Sequence, residues 1–162
     1  MKEHGIGRSW LLIFDKMIHE INTTTDPLLQ LIAGDPVRPN ISINDRVNTN
    51  ARVLVLTTEN DDPQRVVCIS FLNHIPTTEE DLFDNTVENP TVATLYTIWS
   101  LKPGGGQQMV VSALKWIKSN RPSVLRIVTL SPQTEMARRF HLKNGAKELQ
   151  VNANTVNFEY LI

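Results

Sequence analysis

The chain has 162 residues, 41 % hydrophobic and 20 % charged, a size and balance suited to one compact domain with a substantial core. Lys and Arg number 16 against 17 Asp and Glu, and the formal net charge of −1 removes the electrostatic case for a nucleic-acid partner. A single cysteine, Cys68, excludes an internal disulfide framework and a cysteine-rich zinc site, no apolar run reaches membrane-spanning length, and a cytoplasmic protein is the expectation.

Apolar residues at Trp10, Ile13, Phe14, Met17, Ile18 and Ile21, after Ser9 as a cap, predict a helix over 10–21. Asp26-Pro27 opens a second, short helix over 28–33 that stops at Gly34. Residues 35–50 are polar with two prolines and read as a long loop, with a short strand at 41–43. No first strand is evident in this part. Strands over 52–58 and 65–72, joined by the turn composition of 59–63, predict an antiparallel hairpin. An acidic connection over 77–89 leads to a strand over 91–101 that is apolar on both alternating sets and so covered on both faces.

Next comes Pro103-Gly104-Gly105-Gly106-Gln107-Gln108, which gathers three of the chain's seven glycines. A helix with Val110, Ala113, Leu114 and Ile117 on one face follows, and Asn120-Arg121-Pro122 ends it. The remaining elements are a strand over 124–130, a helix over 134–144 stopped by Gly145, and a closing hairpin of 147–151 with 155–161. The strand–loop–helix–strand unit makes its two strands parallel neighbours in a mixed α/β sheet. The chain reads as one domain over 1–162, with a divergent helical part over 1–50 and a core over 51–162.

The glycines either make a tight connection or let an anion approach the unpaired amides at a helix start. Gly-Gln-Gln is not the Gly-Lys-Ser/Thr ending of a P-loop, and the third glycine and downstream acid of a dinucleotide fingerprint are missing. In order and motif, residues 52–162 resemble the GCN5-related N-acetyltransferase (GNAT) superfamily. Gly104-Gly-Gly106-Gln-Gln stands where that family holds the pyrophosphate of acetyl-CoA, without the customary arginine. Thr134-Glu-Met-Ala-Arg-Arg-Phe-His-Leu-Lys-Asn-Gly-Ala146 is similar to the family's Asn-x-x-Ala-x-x-Phe-Tyr-x-x-x-Gly-Phe; Ala137, Phe140 and Gly145 match, while Thr134, His141 and Ala146 depart. The short form also resembles GNAT-like proteins of tailed phages.

The resemblance implies acetyl-CoA or another short acyl-CoA as co-substrate, no metal, and acyl transfer to a small-molecule or protein amine by direct attack. It implies pantetheine contacts at Ile98, Trp99 and Ser100, pyrophosphate contacts at Gly104, Gly105, Gly106, Gln107 and Gln108, and further cofactor contacts at Thr134 and Arg138. His141 stands where the family's tyrosine protonates the leaving thiolate; an imidazole titrates near neutrality, and the helical wheel puts it at the edge of a buried arc of Met136, Ala137 and Phe140. Glu59 and His74, with Glu79 and Glu80, are the candidate bases at strand ends. A homodimer is left open. The alternative is a non-catalytic GNAT-like module, CoA-binding or a phage accessory or structural part.

Overall fold

The computed structural model describes residues 18–57, 62–101 and 106–162. Its strands are β1 (Ile18–Ile21), β2 (Ala51–Thr57), β3 (Pro63–Leu72), β4 (Val92–Ser100), β5 (Arg126–Thr129), β6 (Ser131–Pro132), β7 (Lys147–Val151) and β8 (Thr155–Tyr160). Its α-helices are α1 (Ile43–Arg46), α2 (Gly106–Asn120) and α3 (Glu135–Lys143), with 3-10 helices at Pro27–Gly34 and Glu80–Leu82. The sheet runs β1-β2-β3-β4-β5-β8-β6, with β7 paired to β8. Only β4 and β5 are parallel, as the α2 crossover between them requires.

Two expectations from the sequence are corrected. Ile18–Ile21 is a strand, antiparallel to β2 with Ile18 opposite Leu56 and Ile21 opposite Val53. The apolar ends of Ile-His-Glu-Ile continue the helical spacing, but pairing with the buried β2 makes the segment a strand; residues 10–17 of the expected helix lie outside the described residues. The expected strand at 41–43 is instead the start of α1, because the Ser42 side chain accepts from the Asp45 N–H and caps one helical turn. Asp26 caps the Pro27–Gly34 helix in the same way, accepting from the Leu28 N–H at 2.9 Å.

Each sheet face carries its own core. On one, Met109, Ala113 and Ile117 of α2 pack over Leu54, Val67, Ile69 and Leu95. On the other, Leu29, Ile32, Ile41 and Val47 cover Val53, Val66, Cys68 and Tyr96. Ile41 and Val47 of this second layer belong to the segment read as a loop, and buried charge fixes it. Asp35 and Arg46, with side chains 0 % and 1 % exposed, pair at 2.8 Å. The other Arg46 nitrogens donate to the carbonyls of Ile41 and Arg38, and the Asp35 carboxylate also accepts from Thr97 on β4 at 3.1 Å. Arg46 further approaches the sulfur of Cys68, a free buried thiol, at 3.5 Å.

Burial alone would raise the Asp35 pKa, but hydrogen bonds from Arg46 and from the Arg38 and Val37 N–H groups outweigh it and hold the carboxyl below its ordinary range. Its stabilising contribution is therefore complete above the unfolded carboxylate pKa and is lost as pH falls through the lower folded value. Asp35→Ala leaves Arg46 buried without a counter-charge, and a loss of about 3–5 kcal/mol is expected in urea unfolding at pH 7. A loss under 1 kcal/mol would show that the pair does not hold this layer.

Candidate active site

β4 and β5 pair from Val92–Arg126 to Leu95–Thr129, and the Leu130 N–H then donates to the Leu95 carbonyl at 3.1 Å. Beyond that point the two strands part. A bulge in β4 marks the place: Cys68 of β3 faces Thr97 and Ile69 faces Leu95, so Tyr96 is the extra residue. The residues after it, Thr97–Ser100, pair with β3 and have no partner on β5.

A cavity of about 400 Å³ fills the fork. Ile98, Trp99 and Ser100 line one side and Leu130, Ser131, Thr134, Phe140 and His141 the other, while Pro36 and Val37 of the pinned segment and Arg65 of β3 close the rim. Gly34 lets Trp99 lie close, since a Cβ there would come within 3.0 Å of the Trp99 ring. Gly106 allows a similar approach at the margin: its Cβ would meet the Phe140 ring at 2.8 Å and Arg65 Nη1 at 3.3 Å.

His141 is buried at 6 % exposure. Its Nδ1 lies 2.7 Å from the Tyr160 hydroxyl, its ring stacks on Phe158 with centroids 5.2 Å apart, and Phe140 meets it edge-on. The buried arc expected around it is thus corrected: Met136 is 82 % exposed, and aromatic residues of β8 cover the imidazole instead. Burial pushes its pKa down to about 4. The expectation of a histidine titrating near neutrality is corrected too; the ring is neutral at pH 7.

Ser131, in β6, was not legible as a site residue. Its hydroxyl lies 2.8 Å from Thr129 Oγ1, which accepts from the Phe158 N–H at 3.0 Å. The available signal was position, at the carboxyl end of a parallel strand where ligands bind in open α/β sheets. Arg65 was missed as well, because it stood only as the first residue of the strand predicted over 65–72.

Of the predicted residues, the structure gathers Ile98, Trp99, Ser100, Thr134 and His141 around the cavity. Thr134 also caps α3, its hydroxyl oxygen accepting from the Ala137 N–H at 3.2 Å. Gly106, Gln107 and Gln108 form the first turn of α2, and Gly106 reaches the cavity wall through Phe140 and Arg65. Arg138 is on the surface of α3, 3.8 Å from Glu148, away from the cavity lining. His74 is exposed in the turn after β3 and does not line the cavity. Glu59, Gly104 and Gly105 lie outside the described residues. The cavity's described lining contains no carboxylate. Among the described residues no cluster of His, Cys, Asp and Glu could hold a metal, and no helix is long and apolar enough to cross a membrane.

A mixed sheet whose parallel strands separate after a bulge, with a helix crossing over between them, is the GNAT fold, and solved structures share it with this chain. No family model matches the sequence, and no curated protein is similar to it in sequence. Among solved structures, malonyl-CoA decarboxylase from Agrobacterium vitis superposes with a TM-score of 0.74 at 16 % identity, covering 90 % of this chain and 60 % of the decarboxylase. The chain thus spans about 60 % of the length of that enzyme. The PaiA N-acetyltransferase of Thermoplasma acidophilum, solved with coenzyme A, superposes at 0.58 with 12 % identity, covering 90 % of this chain and 99 % of that one. The GNAT domain of PAT from S. lividans gives 0.62 at 10 % identity, covering 88 % of each.

The neutral state of His141 has a measurable consequence. Between its unfolded pKa near 6.5 and the folded value of about 4, the unfolded chain binds a proton that the native one does not, so stability falls as pH falls through that window. The loss over the window is about 3 kcal/mol for this one group. Urea unfolding of wild type and His141→Gln at pH 7 and pH 5 checks it: the wild-type loss between the two pH values should exceed that of the variant.

Proposed function

We propose that this chain is an acyl-CoA enzyme that works on a thioester held in the fork between β4 and β5. What carries the reading is one arrangement: a neutral imidazole and a serine hydroxyl share an apolar cavity beside an open strand edge. The backbone of β4 beyond the Tyr96 bulge offers N–H and C=O groups to the amides of a pantetheine arm, as one strand offers them to another. Gly106 and the start of α2 face the direction from which the diphosphate would come, and amides at a helix start suit that charge. Arg65 adds a fixed positive charge at the rim.

Decarboxylation of a malonyl-type thioester is the chemistry these residues fit best. The substrate carboxylate would lose water on entering walls made by Leu95, Ile98, Leu130 and Phe140, and that raises its free energy more than that of the dispersed charge formed as carbon dioxide leaves. The C–C electron pair moves onto the thioester oxygen, and the carbon then takes a proton to give acetyl-CoA. With the Tyr160 O–H given to His141 Nδ1, the tautomer this reading requires, the proton sits on Nε2 and stabilises that oxygen. With the Thr129 O–H given to Ser131, the Ser131 hydroxyl is free to donate as the second partner. The superposition on malonyl-CoA decarboxylase supports this reading.

Acyl transfer to an amine is the second reading, supported by the N-acetyltransferases of the same fold. It asks more of the site. An ammonium acceptor must lose a proton, and an imidazole with a pKa of about 4 is a poor base for it. The carboxylates Glu79 and Glu80 line a separate cleft.

Coenzyme A at a hundredfold excess over Kd should stabilise the protein by about 2.7 kcal/mol, raising Tm by roughly 5–10 °C. Malonyl-CoA should then yield acetyl-CoA by chromatography. Ser131→Ala and His141→Gln should each slow this by about 10²–10³-fold while keeping the coenzyme-induced Tm rise. No rise in Tm would sink the acyl-CoA reading. A rise without turnover on malonyl-CoA, or on acetyl-CoA with an amine panel, would leave a binding module.

A further inference from the structure

We infer that Arg38 is a specificity-determining partition: it seals the back of the thioester cavity against a polar cleft behind the fork. The inference rests on the acyl-CoA reading above. Where β4 and β5 part, the carbonyls of Tyr96 and Leu130 are left facing the gap. One guanidinium serves both, Nε donating to Tyr96 O at 3.0 Å and Nη2 to Leu130 O at 2.8 Å. The third nitrogen pairs with Glu79 at 3.0 Å. The backbone of Arg38 is held as firmly, its N–H by Asp35 and its carbonyl by Arg46. The residue is 8 % exposed.

Tyr96 and Leu130 line the thioester cavity, whereas Arg38 lines a second cavity of about 390 Å³. That cleft is polar, built from Thr77, Glu79 and Glu80 on one side and Asn152, Asn154 and Thr155 on the other. The guanidinium thus bonds residues that line the first space while lining the second. A coenzyme arm along β4 would block the front of the first cavity, so the back is the route by which water or an amine could still reach the thioester. With Arg38 in place that route is closed. This suits a reaction that needs no second substrate and would be spoiled by hydrolysis, in which water oxygen bonds to the carbonyl carbon, the C–S bond breaks, and the thiol leaves with a proton.

The test is thiol release from acetyl-CoA, followed with a thiol-reactive chromophore, with and without a small primary amine such as glycinamide. Wild type should release little. Arg38→Ala should release CoA about tenfold faster and respond to added amine, because the two cavities become one. Arg38→Lys keeps the charge but not the planar fork that meets both carbonyls, and should leak in the same direction less strongly. It stands in for Arg38→Ala if that variant does not fold. Glu79→Ala leaves both carbonyl bonds intact and should behave as wild type. A merely structural role for Arg38 predicts lower stability without faster release. Folded Arg38 variants that keep the coenzyme-induced Tm rise yet release thiol at the wild-type rate would overturn the partition alone. A wild-type protein that shows no such rise would overturn the acyl-CoA reading and the partition with it.

Discussion

A carboxylate with almost no access to solvent organises this molecule. Asp35 accepts from two backbone amides, from Arg46 and from Thr97, and so ties a proline-containing segment to the strand that bulges beside it. Charges this deep are expensive to bury, and replacing such a pair by hydrocarbon often costs nothing. What the pair supplies here is registration. Pro36 and Val37 are set as a cavity wall, and Arg38 is delivered to the two carbonyls at the point where β4 and β5 part.

The chemistry of the site depends on an opposite choice. Where Arg46 is buried with a partner charge, His141 is buried among rings, with only a phenol for company. Deprived of water and of any nearby carboxylate, the imidazole gives up its charge. A group that stays neutral can lend a proton in a hydrogen bond without losing it. That favours holding an oxygen on which negative charge gathers over delivering protons to a departing thiolate. The resemblance implies a proton donor at His141; the proposed decarboxylation instead gives the neutral ring the task of holding the oxygen.

Much of the fold was legible because local chemistry and long-range packing agree. The apolar runs of β2, β3 and β4, the stripe of α2, Asp26-Pro27 as a helix start and Gly145, with a φ of 99°, as a helix stop all behave as their residue types dictate. The failures cluster where meaning is carried by distant partners. Ile18 and Ile21 are three apart, which sets them on one face of a helix but on opposite faces of a strand; β1 buries them in different cores, and only the pairing with β2 reveals it. Arg38 finds Leu130 across 92 positions, and no periodicity announces such a contact. A polar stretch with two prolines therefore read as a long loop when it carries buried Ile41, Val47, Asp35 and Arg46 against the sheet. In the site, Ile98, Trp99 and Ser100 were expected from the family resemblance and line the cavity, whereas Ser131 and the Tyr160 partner of His141 needed the third dimension.

Cys68 carries a consequence of a different kind. The thiol sits mid-sheet beneath Tyr96 and Arg46, fully enclosed, and burial lifts its pKa to about 11. Both access and thiolate are denied to a reagent while the sheet is intact, so alkylation has to wait for the chain to open. Being the sole cysteine, it makes the protein its own unfolding clock: the rate at which one label is taken up reports how often the central strands come apart, with no probe added and no residue changed.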